Sequence, residues 1–114
     1  MRSPLALMIL LAAAPALACS CAPRNPAAPG PEVLVTAQVL TVTPGPTAGT
    51  HVATLRVLRR HAGSVPRIIR VGSRSHSVAC GVDFTKGETR QFALYRARGR
   101  LTSNACYMFQ HTRP

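Results

Sequence analysis

Residues 32–42, EVLVTAQVLTV, decide the reading of the chain. In an extended backbone successive side chains point to opposite faces, so Val33, Val35, Ala37 and Val39 share one face, while Leu34 and Leu40 depart from it. The density of β-branched residues favours a strand. Glu32 to Val42 is therefore expected to be a strand with one face in a core.

The same reading extends in both directions. Residues 44–49, PGPTAG, form a turn or loop. Thr50 to Arg60 reads as a second strand, with Ala53, Leu55 and Val57 alternating with Thr54 and Arg56. Leu58 breaks that alternation, as a β-bulge would. After the turn HAGSVP (61–66), Arg67 to Val71 forms a short third strand, and Gly72 to Ser77 is polar and loop-like. Lys86-Gly87 marks a turn before a fourth strand, Thr89 to Ala97. Arg90, Phe92 and Leu94 lie on one face of that strand, and Gln91, Ala93 and Tyr95 on the other. Arg98-Gly99-Arg100 turns the chain again, and Leu101 to Phe109 is a last strand or a short helix. Upstream, Cys19 to Pro31 holds four prolines and a glycine, which excludes a helix and predicts a stiff, extended leader. Five short strands between Gly/Pro turns predict an all-β domain, a small barrel or sandwich.

The first 18 residues read as a signal peptide. Arg2 is the positive region, Leu5 to Ala14 the apolar run, and Ala16-Leu17-Ala18 the small-residue cleavage pattern. The run of about ten residues is too short for a bilayer, which needs about 20. Cleavage leaves one domain, 19–114. Because Cys19 becomes its first residue, a second reading is a lipoprotein anchored at Cys19; Ala16 and Leu17 fit the plain cleavage pattern better. The exported protein is expected to be secreted or periplasmic.

All four cysteines, Cys19, Cys21, Cys80 and Cys106, lie in the mature part. An even count in a short exported chain predicts two disulfides. Pairing Cys19 with Cys21 closes a strained ring, which leaves two cross-linking patterns. Removing Arg2 leaves 12 arginines and one lysine against Glu32, Asp83 and Glu88, a formal charge of +10. Arg56, Arg59, Arg60, Arg67, Arg70 and Arg74 cluster around one hairpin. Alternate arginines there, Arg56, Arg59, Arg67 and Arg70 among them, would form either a solvated outer face or a basic face for an acidic surface or polyanion. The few aromatics are not interleaved with them as a base-stacking platform requires.

Cys19-Ser20-Cys21 concentrates the chemistry. It reads as a redox pair, as a structural anchor, or as an anchor with a function. A CxC that precedes prolines rather than opening a helix lacks the dipole that activates a redox thiol. In the third reading, the α-amine and carbonyl of Cys19 form a five-membered chelate for a metal ion. An α-amine pKa of about 7.7–8 lets a metal displace its proton near neutral pH.

On these residues the chain resembles the netrin-like domain of tissue inhibitors of metalloproteinases and of small bacterial exported proteins similar to them. The resemblance is carried by Cys19-Ser20-Cys21-Ala22-Pro23, the strand Val33 to Val42, the strand Thr54 to Leu58, Ala79-Cys80-Gly81, and Leu101 to Cys106. It implies an OB-like five-stranded barrel with disulfides Cys19–Cys80 and Cys21–Cys106. It further implies that the Cys19 amine and carbonyl chelate the catalytic zinc of a target protease. Ser20 would enter the pocket for the substrate side chain that follows the scissile bond. Animal inhibitors carry a third disulfide in this domain, for which the chain has no cysteines. The histidines at 51, 61, 76 and 111 lack zinc-site spacing, and no nucleophile-elbow or phosphate-loop pattern occurs. A non-enzymatic protein with no cofactor or metal of its own is expected.

Overall fold

The computed structural model describes residues 19–23, 25–75 and 80–112. The signal peptide expected over residues 1–18 lies outside these, as do His76 and Ala79. The described residues form β1 (Val33–Pro44), β2 (Thr50–Ala62), β3 (Ile68–Arg74), β4 (Thr89–Ala97), β5 (Arg100–Thr102) and a helix, α1 (Ala105–His111). The strands close a barrel in the order β1-β2-β3-β5-β4, with β4 returning to β1. All neighbours are antiparallel except β3 and β5. This is an OB-like five-stranded barrel.

The alternation of β1 is the barrel's inner wall. Val33, Val35, Ala37 and Val39 are buried, together with Ala53, Leu55 and Val57 of β2. Phe92 and Leu94 fill the interior from β4, and Phe92 stacks on Phe84 at 5.7 Å. The residues that broke the alternation in the sequence mark irregular pairing. Thr36 faces Arg59 while Ala37 faces Val57, which leaves Leu58 without a partner on β1. Val39 faces Leu55 while Thr41 faces Thr54, which leaves Leu40 unpaired in the same way. Such bulges bend long strands, and β1 and β2 must bend to pair on both edges of a small barrel.

Three expectations are adjusted. First, β3 runs to Arg74, past the predicted end at Val71, because Val52, His51 and Thr50 of β2 continue to pair with Gly72, Ser73 and Arg74. Ser73 is buried, and its Oγ accepts the Val82 N–H (2.9 Å). Second, Leu101 to Phe109 holds both a strand and a helix, divided at Ser103-Asn104. Third, Ala93, read on the face of β4 opposite Phe92 and Leu94, is as buried as they are. Helix α1 covers it: the Ala93 N–H points at Met108 Sδ (3.3 Å), and Ser103 Oγ donates to Ala93 O (2.6 Å).

The β4–β5 turn is tight. Ala97 pairs with Arg100, so Arg98 and Gly99 alone make the hairpin loop, with φ of 54° and 76°. Two positive φ values suit a turn that favours Asn-Gly; an arginine at the first position is strained. Arg98→Asn is therefore expected to raise stability by about 0.5–1 kcal/mol in urea denaturation. Phe92→Ala is expected to lower it by about 3–5 kcal/mol. A loss of stability in Arg98→Asn would contradict the turn geometry.

Candidate functional site

Two disulfides fasten the N-terminal leader to one end of the barrel. Cys19 joins Cys80, with Cα atoms 4.9 Å apart, and Cys21 joins Cys106 at 5.2 Å. Cys19 and Cys106 Sγ lie 3.4 Å apart, so the two bridges touch. All four cysteines are paired. The Sγ atoms of Cys19, Cys80 and Cys106 lie within 4.8 Å of one another, but as disulfide sulfurs they are not thiolate ligands.

The anchor points are built by local backbone geometry. Cys80 adopts a positive φ of 72°, and Gly81 passes so close to the backbone that a Cβ there would collide with the carbonyl oxygens of Arg74 and Ser75. Only glycine fits that approach. This corner brings Cys80 back beside the end of β3. The Ala105 N–H donates to Cys80 O (2.9 Å) and joins the corner to the start of α1. Asn104 caps the helix, its Oδ1 accepting from Tyr107 N–H at 2.8 Å. Cys106 therefore sits in the first turn, beside Cys80.

The leader then lies along α1. Gln110 Nε2 donates to Ala22 O (2.9 Å), and the Glu32 N–H donates to Tyr107 Oη (3.0 Å). Tyr107 is held edge-on to Tyr95 at 4.8 Å between ring centres. Between these ties the leader is not uniformly extended. Asn25 makes a turn, with Oδ1 accepting from Ala27 N–H and the carbonyl from Ala28 N–H, both at 2.9 Å.

The result is a short exposed edge. Ser20 is exposed between two half-buried cysteines. Next to the Cys80 corner, a shallow cleft of about 360 Å³ runs along Gly81, Asp83, Arg90 and Phe109. Phe109, at 69% exposure, is the most open large apolar residue among those described. Arg90 pairs with Glu88 (3.4 Å), donates to Asp83 O (3.3 Å) and lies over the Phe92 ring at 5.0 Å. The arginines predicted as a basic face lie elsewhere on the barrel. Arg56, Arg59, Arg67 and Arg70 are all exposed on β2, β3 and the turn between them.

The structure thus brings Cys19, Ser20, Cys80 and Cys106 together, and keeps them apart from the arginine hairpin. Sequence reasoning missed the support given by Asn104, Tyr107 and Gln110. An Asn directly before ACYMF is a helix-capping signal that would have revealed it. His51 Nε2 donates to Val82 O (3.0 Å), His61 bonds Thr36 Oγ1 (2.8 Å), and His111 packs on Tyr107, so each ring has a different neighbour.

Comparison with protein-family models, curated proteins and solved structures finds no match.

Alkylation of the native protein is expected to add no label, and alkylation after reduction to add four. Replacing Cys21 and Cys106 together by Ala removes a cross-link spanning 85 residues. With Cys19–Cys80 intact the loop this bridge closes is only about 28 residues, so the expected loss is about 3–4 kcal/mol on the chain-entropy model. A loss below about 1 kcal/mol would show that the leader's tether constrains little.

Proposed function

We propose that the mature chain is an exported inhibitor of zinc metalloproteases that acts through the Cys19-Ser20-Cys21 edge. The observation that carries this reading is the fastening of both cysteines around an exposed Ser20. After cleavage behind Ala18, Cys19 bears a free α-amine. Its nitrogen lone pair and the Cys19 carbonyl oxygen then close a five-membered chelate on a metal ion. A catalytic zinc with three protein ligands keeps a fourth position for water or substrate and can expand to five-coordinate, so the two chelating atoms would displace the water and fill both positions. Ser20, the next residue, is exposed and in this reading would enter the pocket that takes the side chain after the scissile bond. The resemblance to the netrin-like domain of metalloproteinase inhibitors supports the same roles.

The two bridges give the mechanism its energetic basis. A free N-terminus would lose backbone freedom on binding, at about 1–2 kcal/mol per residue fixed. Here the segment is fixed during folding, so less is lost at the interface. The Cys19–Cys80 bridge also uses the sulfur that a thioether-linked lipid would need, which favours the unlipidated form. Disulfides suit an oxidising compartment outside the cytosol. Among the described residues no helix is long and apolar enough to cross a membrane.

The test is an N-terminal extension. One residue added before Cys19 turns the amine into an amide, whose nitrogen lone pair is delocalised. This form is expected to keep its disulfides and melting temperature but lose inhibition of a zinc endopeptidase panel at least 100-fold. With the free amine, affinity is expected to weaken about tenfold per pH unit below about 7.7, because the proton must leave before zinc binds. Equal inhibition by the extended form would rule out chelation by Cys19.

A further inference from the structure

The arginines and two apolar side chains form a second surface, at the other end of β3 from the disulfides. β3 ends at Arg74, next to Ser75 and the Cys80 corner, and begins at Ile68, beside the β2–β3 turn. Arg56 of β2 faces Ile68 of β3, and Val71 faces Leu101 of β5. Arg70 and Arg100 each precede one residue of that last pair, so the parallel strands set them side by side. Arg98 follows at the β4–β5 turn. Six exposed arginines, Arg56, Arg59, Arg67, Arg70, Arg98 and Arg100, therefore gather around one pole of the barrel. The two nearby arginines with hydrogen bonds brace that pole. Arg60 Nε donates to Val65 O (2.7 Å), and Arg96 Nη2 donates to Ser64 O (3.0 Å). Of the three acids, only Glu32 lies at this end, and its carboxylate accepts the Arg96 backbone N–H (3.1 Å). Asp83 and Glu88 lie with Arg90 on the disulfide side.

Among the arginines stand two exposed aliphatic side chains. Leu58 is 55% exposed and Ile68 48%. The bulge leaves Leu58 unpaired with β1, and Ile68 directly faces Arg56. Cross-strand pairs have Cβ atoms about 5 Å apart, so the apolar and cationic groups form one mixed patch. Among the described residues, β2, β3, β5 and the turns beside them carry no Phe, Tyr or Trp.

We infer that this pole docks on an anionic lipid surface. The arginines match phosphate headgroups in charge and hydrogen-bonding geometry. Leu58 and Ile68 supply apolar groups that can enter the boundary between headgroups and acyl chains. A single-stranded nucleic acid would call for aromatic stacking platforms, which the patch lacks. An acidic polysaccharide would gain from the arginines but nothing from the two aliphatic side chains. Docking here leaves the Cys19-Ser20-Cys21 edge at the far end of β3, turned away from the membrane. The inference is independent of the proposed inhibition.

The test is co-sedimentation of the mature disulfide-bonded protein with vesicles of phosphatidylcholine containing about 30% phosphatidylglycerol. Vesicles of phosphatidylcholine alone serve as control, and heparin and a single-stranded oligonucleotide are tested in parallel. Binding is expected to the anionic vesicles and not to the neutral ones, and to fall as salt rises. Arg56→Glu/Arg70→Glu is expected to lower the partition coefficient at least tenfold. Leu58→Ser/Ile68→Ser is expected to lower it at least fivefold while leaving heparin affinity within twofold. Intact disulfides and an unchanged circular dichroism spectrum show that each variant is folded. For any variant that fails to fold, Arg98→Asn/Arg100→Gln provides the charge arm and Leu58→Ala the apolar arm. The inference is overturned if anionic vesicles do not bind. It is also overturned if the serine variant binds them as the parent does, or if heparin or the oligonucleotide binds at least tenfold more tightly than the vesicles.

Discussion

Everything at the candidate site depends on two disulfides meeting where β3 ends and α1 begins. A barrel of this size has a modest core, and its proline-rich leader contributes no strand to it. Without cross-links the leader would be held mainly by Gln110 and Tyr107, through hydrogen bonds worth about 1 kcal/mol each. The Cys19–Cys80 and Cys21–Cys106 bridges instead bind both sides of Ser20 to backbone that is already rigid. Cys80 stands in a corner that only Gly81 allows, and Cys106 in the first turn of a capped helix. The fold thus holds the segment around Ser20 as a fixed edge.

The same barrel separates two kinds of surface. The disulfide end carries a shallow, partly apolar cleft, in which Arg90 pairs with Glu88 and donates to the Asp83 carbonyl. At the other end cations outnumber acids, and self-repulsion there costs stability. The irregular pairing of β1 with β2 connects the two. The bulge that bends β2 around the barrel also pushes Leu58 outward among arginines, so one local feature serves closure and surface chemistry together.

Much of the fold was legible because the inner wall of the barrel follows period-two alternation. β1, β2 and β4 could be read from Val33, Leu55 and Phe92 and their neighbours, and even Leu58 signalled its bulge. What escaped was set by partners distant in the chain. The end of β3 carries Gly72 and Ser73, poor strand formers that pair because β2 continues beside them. Ala93 alternates away from Phe92 and Leu94, and its burial follows only once α1 is packed on it through Met108. At the site, Cys19, Ser20 and Cys21 could be singled out as chemistry. Their disulfide partners came only through the family resemblance, because spacing alone allows more than one pairing. The bracing by Tyr107 and Gln110 needed the path of the leader over α1, which no local pattern encodes.

The central claim is that Ser20 belongs to a rigid edge. Backbone ¹⁵N relaxation of the mature, disulfide-bonded protein measures this directly. The account predicts order parameters at Ser20 and Cys21 near about 0.85, matching those of β1 and β4. Values below about 0.6 at Ser20, with the barrel strands still rigid, would contradict it.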